Sequence, residues 1–179
     1  MDIRTKGRLA ALALLLTAFV ATNAAPSVGP AEAASGDPVV MFSETDARMN
    51  TAQATARRHL SRFLDHVLDG DGIARADAAI KVAVPADGGG DEIIWVTPFA
   101  RRDGLFAGAL ANEPQSMEGQ HIGDIITFSA EQVRDWSFFG PDGRMYGSYT
   151  TRVILTELAP ERAAQIQEML SVNPVPTDW

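Results

Sequence analysis

The residues best suited to bind or act on another molecule are polar and aromatic side chains in the second half of the chain. Asp135 stands beside Trp136, and neighbouring residues of a strand face opposite sides, so one packs while the other reaches out or is paired. Arg152 is the expected partner of Asp135, through a bidentate ion pair. The candidate binding residues are Trp95, Asn112, Asp135, Trp136, Tyr149 and Arg152. They either line a cleft or form a buried polar network that specifies the fold.

Sequence motifs of known enzymes are absent. The chain has no Gly-x-Ser-x-Gly, no His-Glu-x-x-His and no phosphate-binding glycine loop. His59 and His66 are seven residues apart, too far to share a metal ion without a third ligand between them. We therefore expect no metal site and no cofactor. The catalytic alternative is a hydrolase that uses Asp135, Glu92 or His121 as acid or base, which requires a cleft that brings two of them together.

Two acidic segments rich in glycine raise the question of calcium binding. In the first, counted from Asp69, Ile73 takes the fifth position and Ile80 the twelfth, where a calcium loop of the EF-hand kind needs oxygen ligands. We interpret this segment, and the one from 87 to 92, as acidic turns. Weak calcium binding outside the cell is the alternative.

The N-terminus has the pattern of a secretory signal peptide. Arg4, Lys6 and Arg8 precede an uncharged apolar run over 9–21, and small residues lead to the Ala-Glu-Ala sequence at 31–33. The run is shorter than the roughly 20 apolar residues of a membrane span. We predict cleavage after Ala33, with cleavage after Ala24 as the second choice and an uncleaved signal anchor as the alternative.

Composition narrows the class of partner. The chain has no cysteine, which excludes disulfides, thiol catalysis and a lipid-bearing cysteine. Its net charge is −8, and removal of 1–33 would make that about −9. An acidic chain disfavours nucleic acid and anionic membranes, because binding there depends on Lys and Arg. The predicted mature chain, 34–179, has the size of one domain.

Apolar periodicity predicts the helices. An amphipathic helix is expected over 45–68, with Ser43 and Asp46 resembling a capping box and glycine-rich turn residues at 69–72 ending it. Its apolar face consists of Met49, Ala52, Ala56, Leu60, Phe63 and Val67. A second helix begins at Pro160, and its predicted buried stripe is Ala163, Ile166, Met169 and Leu170. The tail over 173–179 is expected to be irregular.

Strands are predicted from short β-prone runs between turn signals, at 80–84, 92–97, 105–111, 125–128, 133–139 and 149–158. Residues 93–96 are all apolar, which is typical of a central strand covered on both faces. The last run is ambiguous, and its Thr, Val and Ile content favours a strand over a helix. These elements predict an α+β fold, in which the N-terminal helix packs on a curved, mostly antiparallel sheet of five or six strands and a C-terminal helix follows.

Five fragments in the second half together resemble the YegJ-like family of bacterial domains of unknown function. They are Glu92-x-x-Trp95-Val96, Phe106-x-Gly108-x-Leu110-x-Asn112-x-Pro114, Gly123-Asp124, Val133-x-Asp135-Trp136 and Tyr146-Gly147-x-Tyr149-Thr150-x-Arg152. The resemblance runs from about Ser43 to Leu155 and implies no activity, substrate or catalytic residue. The predicted organisation is a signal peptide at 1–33, a leader at 34–42, the YegJ-like domain at 43–158, and a helix and tail at 159–179.

Taken together, these patterns predict an exported, non-catalytic binding or interaction module of the cell envelope. Its partner would be an envelope protein or a small ligand, and after cleavage it would have no membrane anchor. Two alternatives stay open: the hydrolase described above, and an immunity-like inhibitor whose acidic surface masks a basic effector.

Overall fold

The computed structural model describes residues 46–179, and the predictions for the signal peptide, the leader and Ser43 lie outside these residues. The single helix predicted over 45–68 is divided at His59 into two helices, α1 (Ala47–Arg58) and α2 (Leu60–Val67). Asp46 caps α1, since its carboxylate accepts hydrogen bonds from the N–H groups of Arg48 (2.8 Å) and Met49 (3.3 Å). Of the predicted apolar face, Met49 is partly exposed and the others are buried: Ala52, Ala56, Leu60, Phe63 and Val67.

Six antiparallel strands form one open sheet in the order β4-β3-β2-β1-β5-β6, which confirms the predicted α+β class. The strands are β1 (Ala78–Pro85), β2 (Asp91–Arg102), β3 (Leu105–Leu110), β4 (Ile125–Phe128), β5 (Val133–Phe139) and β6 (Met145–Gly147). Five of them match predicted runs, and the turns at 86–90 and 140–143 lie where they were expected. The short strand β6 was not predicted.

Strand β2 is internal, as predicted, but it is covered on one face only. Ile94 and Val96 are buried, whereas Ile93 is 45% exposed and Trp95 is partly exposed. The prediction of burial on both faces is therefore wrong. The apolar run is explained by an inner face that packs under α1 and α2 and an outer face that is itself partly apolar.

Trp136 joins the inner face of the sheet to the helices. Its ring is fully buried and stacks on Phe63 of α2, with 4.8 Å between ring centroids. Its indole N–H donates a hydrogen bond to the Ala56 carbonyl oxygen in α1 at 2.8 Å. Because a buried indole N–H needs an acceptor, this bond fixes where α1 crosses β5.

The run at 149–158, predicted as a strand, is helical. Helix α3 (Tyr149–Ile154) is followed by one 3₁₀ turn at Leu155–Glu157. The β-propensity of its Thr, Val and Ile residues is overridden because a buried carboxylate from β5 caps the first turn of α3.

Helix α4 (Pro160–Met169) begins at the predicted proline. Its predicted stripe is only partly buried over Ala163, Ile166 and Met169, and Leu170, just beyond the helix end, is the member that is buried. The tail is irregular as predicted, yet Trp179 packs against Trp136, with 5.7 Å between ring centroids. No helix within 46–179 is long and apolar enough to cross a membrane.

Gly147 and Gly143 offer a matched test of close packing beside β5. Both have left-handed backbones, with φ values of +72° and +71°. A Cβ on Gly147 would overlap the carbonyl oxygen and ring of Trp136, whereas a Cβ on Gly143 would have no neighbour within 4 Å.

We predict that Gly143→Ala lowers the free energy of unfolding by about 1 kcal/mol through backbone strain alone. Gly147→Ala should lower it by about 3 kcal/mol, because β5 or β6 must also shift. Urea denaturation of both variants measures the difference. Equal losses would contradict the close approach of Gly147 to Trp136.

Candidate binding site

A row of three side chains crosses the outer face of the sheet, which we define as the face away from α1 and α2. Lys81 of β1 lies directly opposite Trp95 of β2 on one side and Asp135 of β5 on the other. Since Ile80 and Val82 are buried on the inner face, the alternation of β1 places Lys81 on the outer one. The Lys81 ammonium lies 4.7 Å from the centroid of the Trp95 ring, at cation–π distance.

The Asp135 carboxylate is fully buried and accepts four hydrogen bonds. Its Oδ1 accepts from the N–H groups of Trp136 (2.8 Å) and Tyr149 (3.1 Å). Its Oδ2 accepts from the N–H and the hydroxyl of Thr150, both at 2.7 Å. Two of these donors are N–H groups at the start of α3, which have no partner within that helix. The carboxylate therefore fastens α3 to the sheet.

Thr150 links Asp135 to Lys81. The ammonium of Lys81 donates to the Thr150 hydroxyl oxygen at 2.9 Å, and the same hydroxyl donates to Asp135. Burial raises the pKa of Asp135, while Lys81 and the hydrogen-bond donors oppose this rise. Burial likewise lowers the pKa of Lys81, opposed by Asp135. Each charge thus lessens the cost of burying the other.

The predicted ion pair between Asp135 and Arg152 is not formed. The Nε–H group of Arg152 donates instead to the Gly147 carbonyl oxygen at 3.0 Å. The predicted pairing is wrong, and the run at 149–158, which was predicted as a strand, is helical. In the helix, the backbone of residues 149 and 150 reaches Asp135 first, and Lys81 supplies the opposite charge.

The six candidate residues do not form one surface. Asp135, Trp136 and Tyr149 are buried, so a large partner cannot touch them directly. Arg152, Asn112 and Trp95 are each partly exposed, and Trp95 is the one placed on the outer face. Lys81 was not among the predicted residues, although a lysine between the apolar residues Ile80 and Val82 of a predicted strand is the signal that could have identified it.

The residues considered for acid–base catalysis are engaged in different places. The Glu92 carboxylate accepts from the N–H groups of Gln115 and Ser116. His121 pairs with Glu113 at 2.7 Å, and this carboxylate raises the pKa of His121. The structure brings neither residue into hydrogen-bond contact with the buried Asp135.

The acidic turns use their carboxylates on the backbone. Asp69 Oδ1 accepts from the N–H groups of Asp71 and Ile73, and Asp87 accepts from the N–H of Glu118. Within residues 46–179, no three His, Cys, Asp or Glu side chains are placed to hold a metal ion together.

The outer face carries large apolar side chains in the open. Ile93 is 45% exposed, Leu105 59% and Ile125 67%. Ala109 of β3 lies directly opposite Ile125 of β4, so this small apolar residue extends the apolar surface from β4 towards β2. We call Ile93, Trp95 and Ile125 the outer patch, whereas Leu105 lies opposite Arg102 at the other end of β2. Of these three residues, only Trp95 was predicted from the sequence.

The family described as uncharacterized protein conserved in bacteria (DUF2314) matches residues 46–173, from the cap of α1 to the residues after α4. The chain belongs to the DUF2314 family. It is also similar to the uncharacterized protein YegJ of Escherichia coli strain K12, with 26% identity over 122 residues, which cover 68% of this chain and 76% of YegJ. No solved structure matches the chain.

Membership of DUF2314 confirms the resemblance to YegJ-like domains. The match includes α4, so the family region extends beyond the predicted limit at about Leu155. Neither the family nor YegJ is described with an activity, and the roles of residues in this DUF2314 member therefore rest on their geometry.

We predict that Asp135→Asn lowers the free energy of unfolding by about 3 kcal/mol. Asparagine keeps the size of the side chain, but its NH2 group would face either the two Thr150 donors or the N–H groups of Trp136 and Tyr149, and Lys81 would lose its opposite charge. Chemical denaturation followed by circular dichroism measures the loss.

Asp142→Asn is the matched control, since exposed Asp142 also accepts from a backbone N–H and from a hydroxyl, those of Arg144 and Tyr146. We expect it to cost no more than about 1 kcal/mol. A similar loss in both variants would show that burial of the Asp135 charge is not what stabilises the docking of α3.

Proposed function

We propose that this protein is an exported, non-catalytic binding module that recognises a protein of the cell envelope through the outer patch. The observation that carries the proposal is the exposure of large apolar side chains on one face of a regular sheet. Such surfaces are uncommon on soluble monomers and are typical of interaction sites.

The outer-patch residues lie on one face of the sheet, within three consecutive strands. Ile93 and Trp95 lie in β2, and Ile125 lies in β4. Ala109 lies in β3, which is the strand between them. Because backbone hydrogen bonds hold these strands in register, the patch is preorganised and would lose little conformational entropy on binding.

A protein suits this surface better than the other classes of partner. The patch lies on an open sheet face, whereas small ligands favour concave sites. A depression of about 360 Å³ does exist, but it lies between the turn at 69–72 and the hairpin at 101–104 and contains no outer-patch residue. The net charge of −8 disfavours nucleic acid and anionic membranes.

The proposed export rests on the N-terminal pattern. A basic head, an apolar run and small residues before Ala33 are the features that secretion recognises. With no cysteine, the chain needs no oxidative step to fold after export.

Photo-crosslinking in living cells tests the proposed surface. We predict that a photoreactive amino acid placed at Ile93 or at Ile125, in the chain expressed from its complete gene, captures the same envelope protein. Lys81 and the core are left intact at both positions. Mass spectrometry of the crosslinked bands identifies the captured protein.

Val172 provides the control, because it is apolar and 94% exposed but lies outside the sheet. A crosslink from Val172 to the same protein, or none from either sheet position, would contradict recognition through the outer patch. Ile125→Lys should abolish the crosslink from position 93 without lowering the melting temperature, since Ile125 is 67% exposed.

Replacing Ala33 by Phe tests the proposed export. We predict that the natural chain, recovered from the periplasm or the medium, begins at Ala34, and that Ala33→Phe abolishes this N-terminus because cleavage requires small side chains. N-terminal sequencing and intact mass measure both. A start at Ala25 would move the cleavage to the second site, whereas an intact N-terminus in the cytoplasm would contradict export.

A further inference from the structure

Two buried hydrogen-bond donors on α3 have no partner among residues 46–179: the Tyr149 hydroxyl and the Nη2 group of Arg152. Tyr149 is 7% exposed, so water does not freely compensate its hydroxyl. The two residues are three apart in a helix, a spacing that places them on one face. Unpaired buried donors are rare in folded proteins and call for an explanation.

The position of the Tyr149 ring is well defined. The ring packs edge-on against Trp136, with 5.6 Å between centroids, and lies parallel to the ring of His59 at 6.2 Å. The Nε–H group of Arg152 is held by the Gly147 carbonyl oxygen at 3.0 Å. The Tyr149 hydroxyl and the Arg152 Nη2 group are therefore held in place by contacts that other atoms of the same side chains make.

Within residues 46–179, no carboxylate is hydrogen-bonded to the Tyr149 hydroxyl or to the Nη2 group of Arg152. Asp135 is already compensated by Lys81, and the structure shows no salt bridge to Arg152 within the described residues. Arg58, in the last turn of α1, adds a second guanidinium. It directly precedes His59, whose ring lies parallel to that of Tyr149. Burial and Asp135 raise the pKa of Tyr149 to about 12, and Arg152 and Arg58 oppose that rise.

We propose that Tyr149, Arg152 and Arg58 form a binding site for an oxyanion, a carboxylate or phosphate group. The Tyr149 hydroxyl and the Arg152 Nη2 group donate to its oxygens, and Arg58, which is exposed, supplies further positive charge at the solvent side. Both groups offer acceptor oxygens for the two unpaired donors and negative charge to balance the arginines. The site includes no outer-patch residue and does not depend on the proposed envelope partner.

A protein with a single tyrosine provides the direct test. The chain has two tyrosines, so Tyr146→Phe leaves Tyr149 as the sole tyrosine signal in NMR. We expect titration with sodium acetate or sodium phosphate to shift the ring resonances of Tyr149 along a saturable curve, while sodium chloride at matched ionic strength does not. A response to acetate assigns a carboxylate ligand, and a stronger response to phosphate assigns a phosphate.

Tyr149→Phe removes one donor and keeps the ring. In calorimetric titrations with the preferred anion, we expect it to weaken the affinity about tenfold, the effect of losing one hydrogen bond to a charged group. Arg58→Gln, at an exposed position that cannot disturb the core, should weaken the affinity too. Tyr146→Phe is the control and should leave the affinity unchanged.

Two results would overturn the proposal. One is the absence of a saturable response of Tyr149 to both acetate and phosphate. The other is undiminished affinity in folded Tyr149→Phe and Arg58→Gln proteins, which would place any bound anion elsewhere. Neither result bears on crosslinking through the outer patch.

Discussion

The buried carboxylate of Asp135 is the interaction on which the arrangement of the second half of the chain depends. It satisfies two N–H groups at the start of α3 and is itself balanced by Lys81 through Thr150. Removing one member of this buried cluster lowers the free energy of unfolding, because the remaining charged partner is left buried and uncompensated. By holding α3, it also brings Tyr149 against Trp136, the side chain that joins the sheet to α1.

The two faces of the sheet consequently have different roles. The inner face is filled by aromatic and aliphatic side chains under α1 and α2, with Trp136 and Phe63 at the centre. The outer face contains the row from Asp135 through Lys81 to Trp95, and the exposed outer patch begins at Trp95. The candidate residues predicted from the sequence are thus divided into two groups. Asp135, Trp136 and Tyr149 are buried and stabilise the fold, whereas the other three are partly exposed.

The family comparison agrees with this division without assigning a function. The DUF2314 match covers both helices that build the inner core and all six strands. It therefore includes the whole framework that positions the outer patch and the oxyanion site. What either site binds is a matter of local chemistry, because a fold by itself does not specify a function.

The sequence by itself determined the features that depend on local pattern. The period of the apolar residues predicted one helix over 45–68, where the structure has α1 and α2, β-prone runs predicted five strands, and Pro160 marked the start of α4. Tertiary structure decided the rest. Residues 149–154 are helical because Asp135, distant in sequence, caps them, and Ile93 is exposed because α1 and α2 cover only the inner face of β2. Lys81 became the partner of Asp135 through strand pairing, a long-range contact that no local pattern encodes.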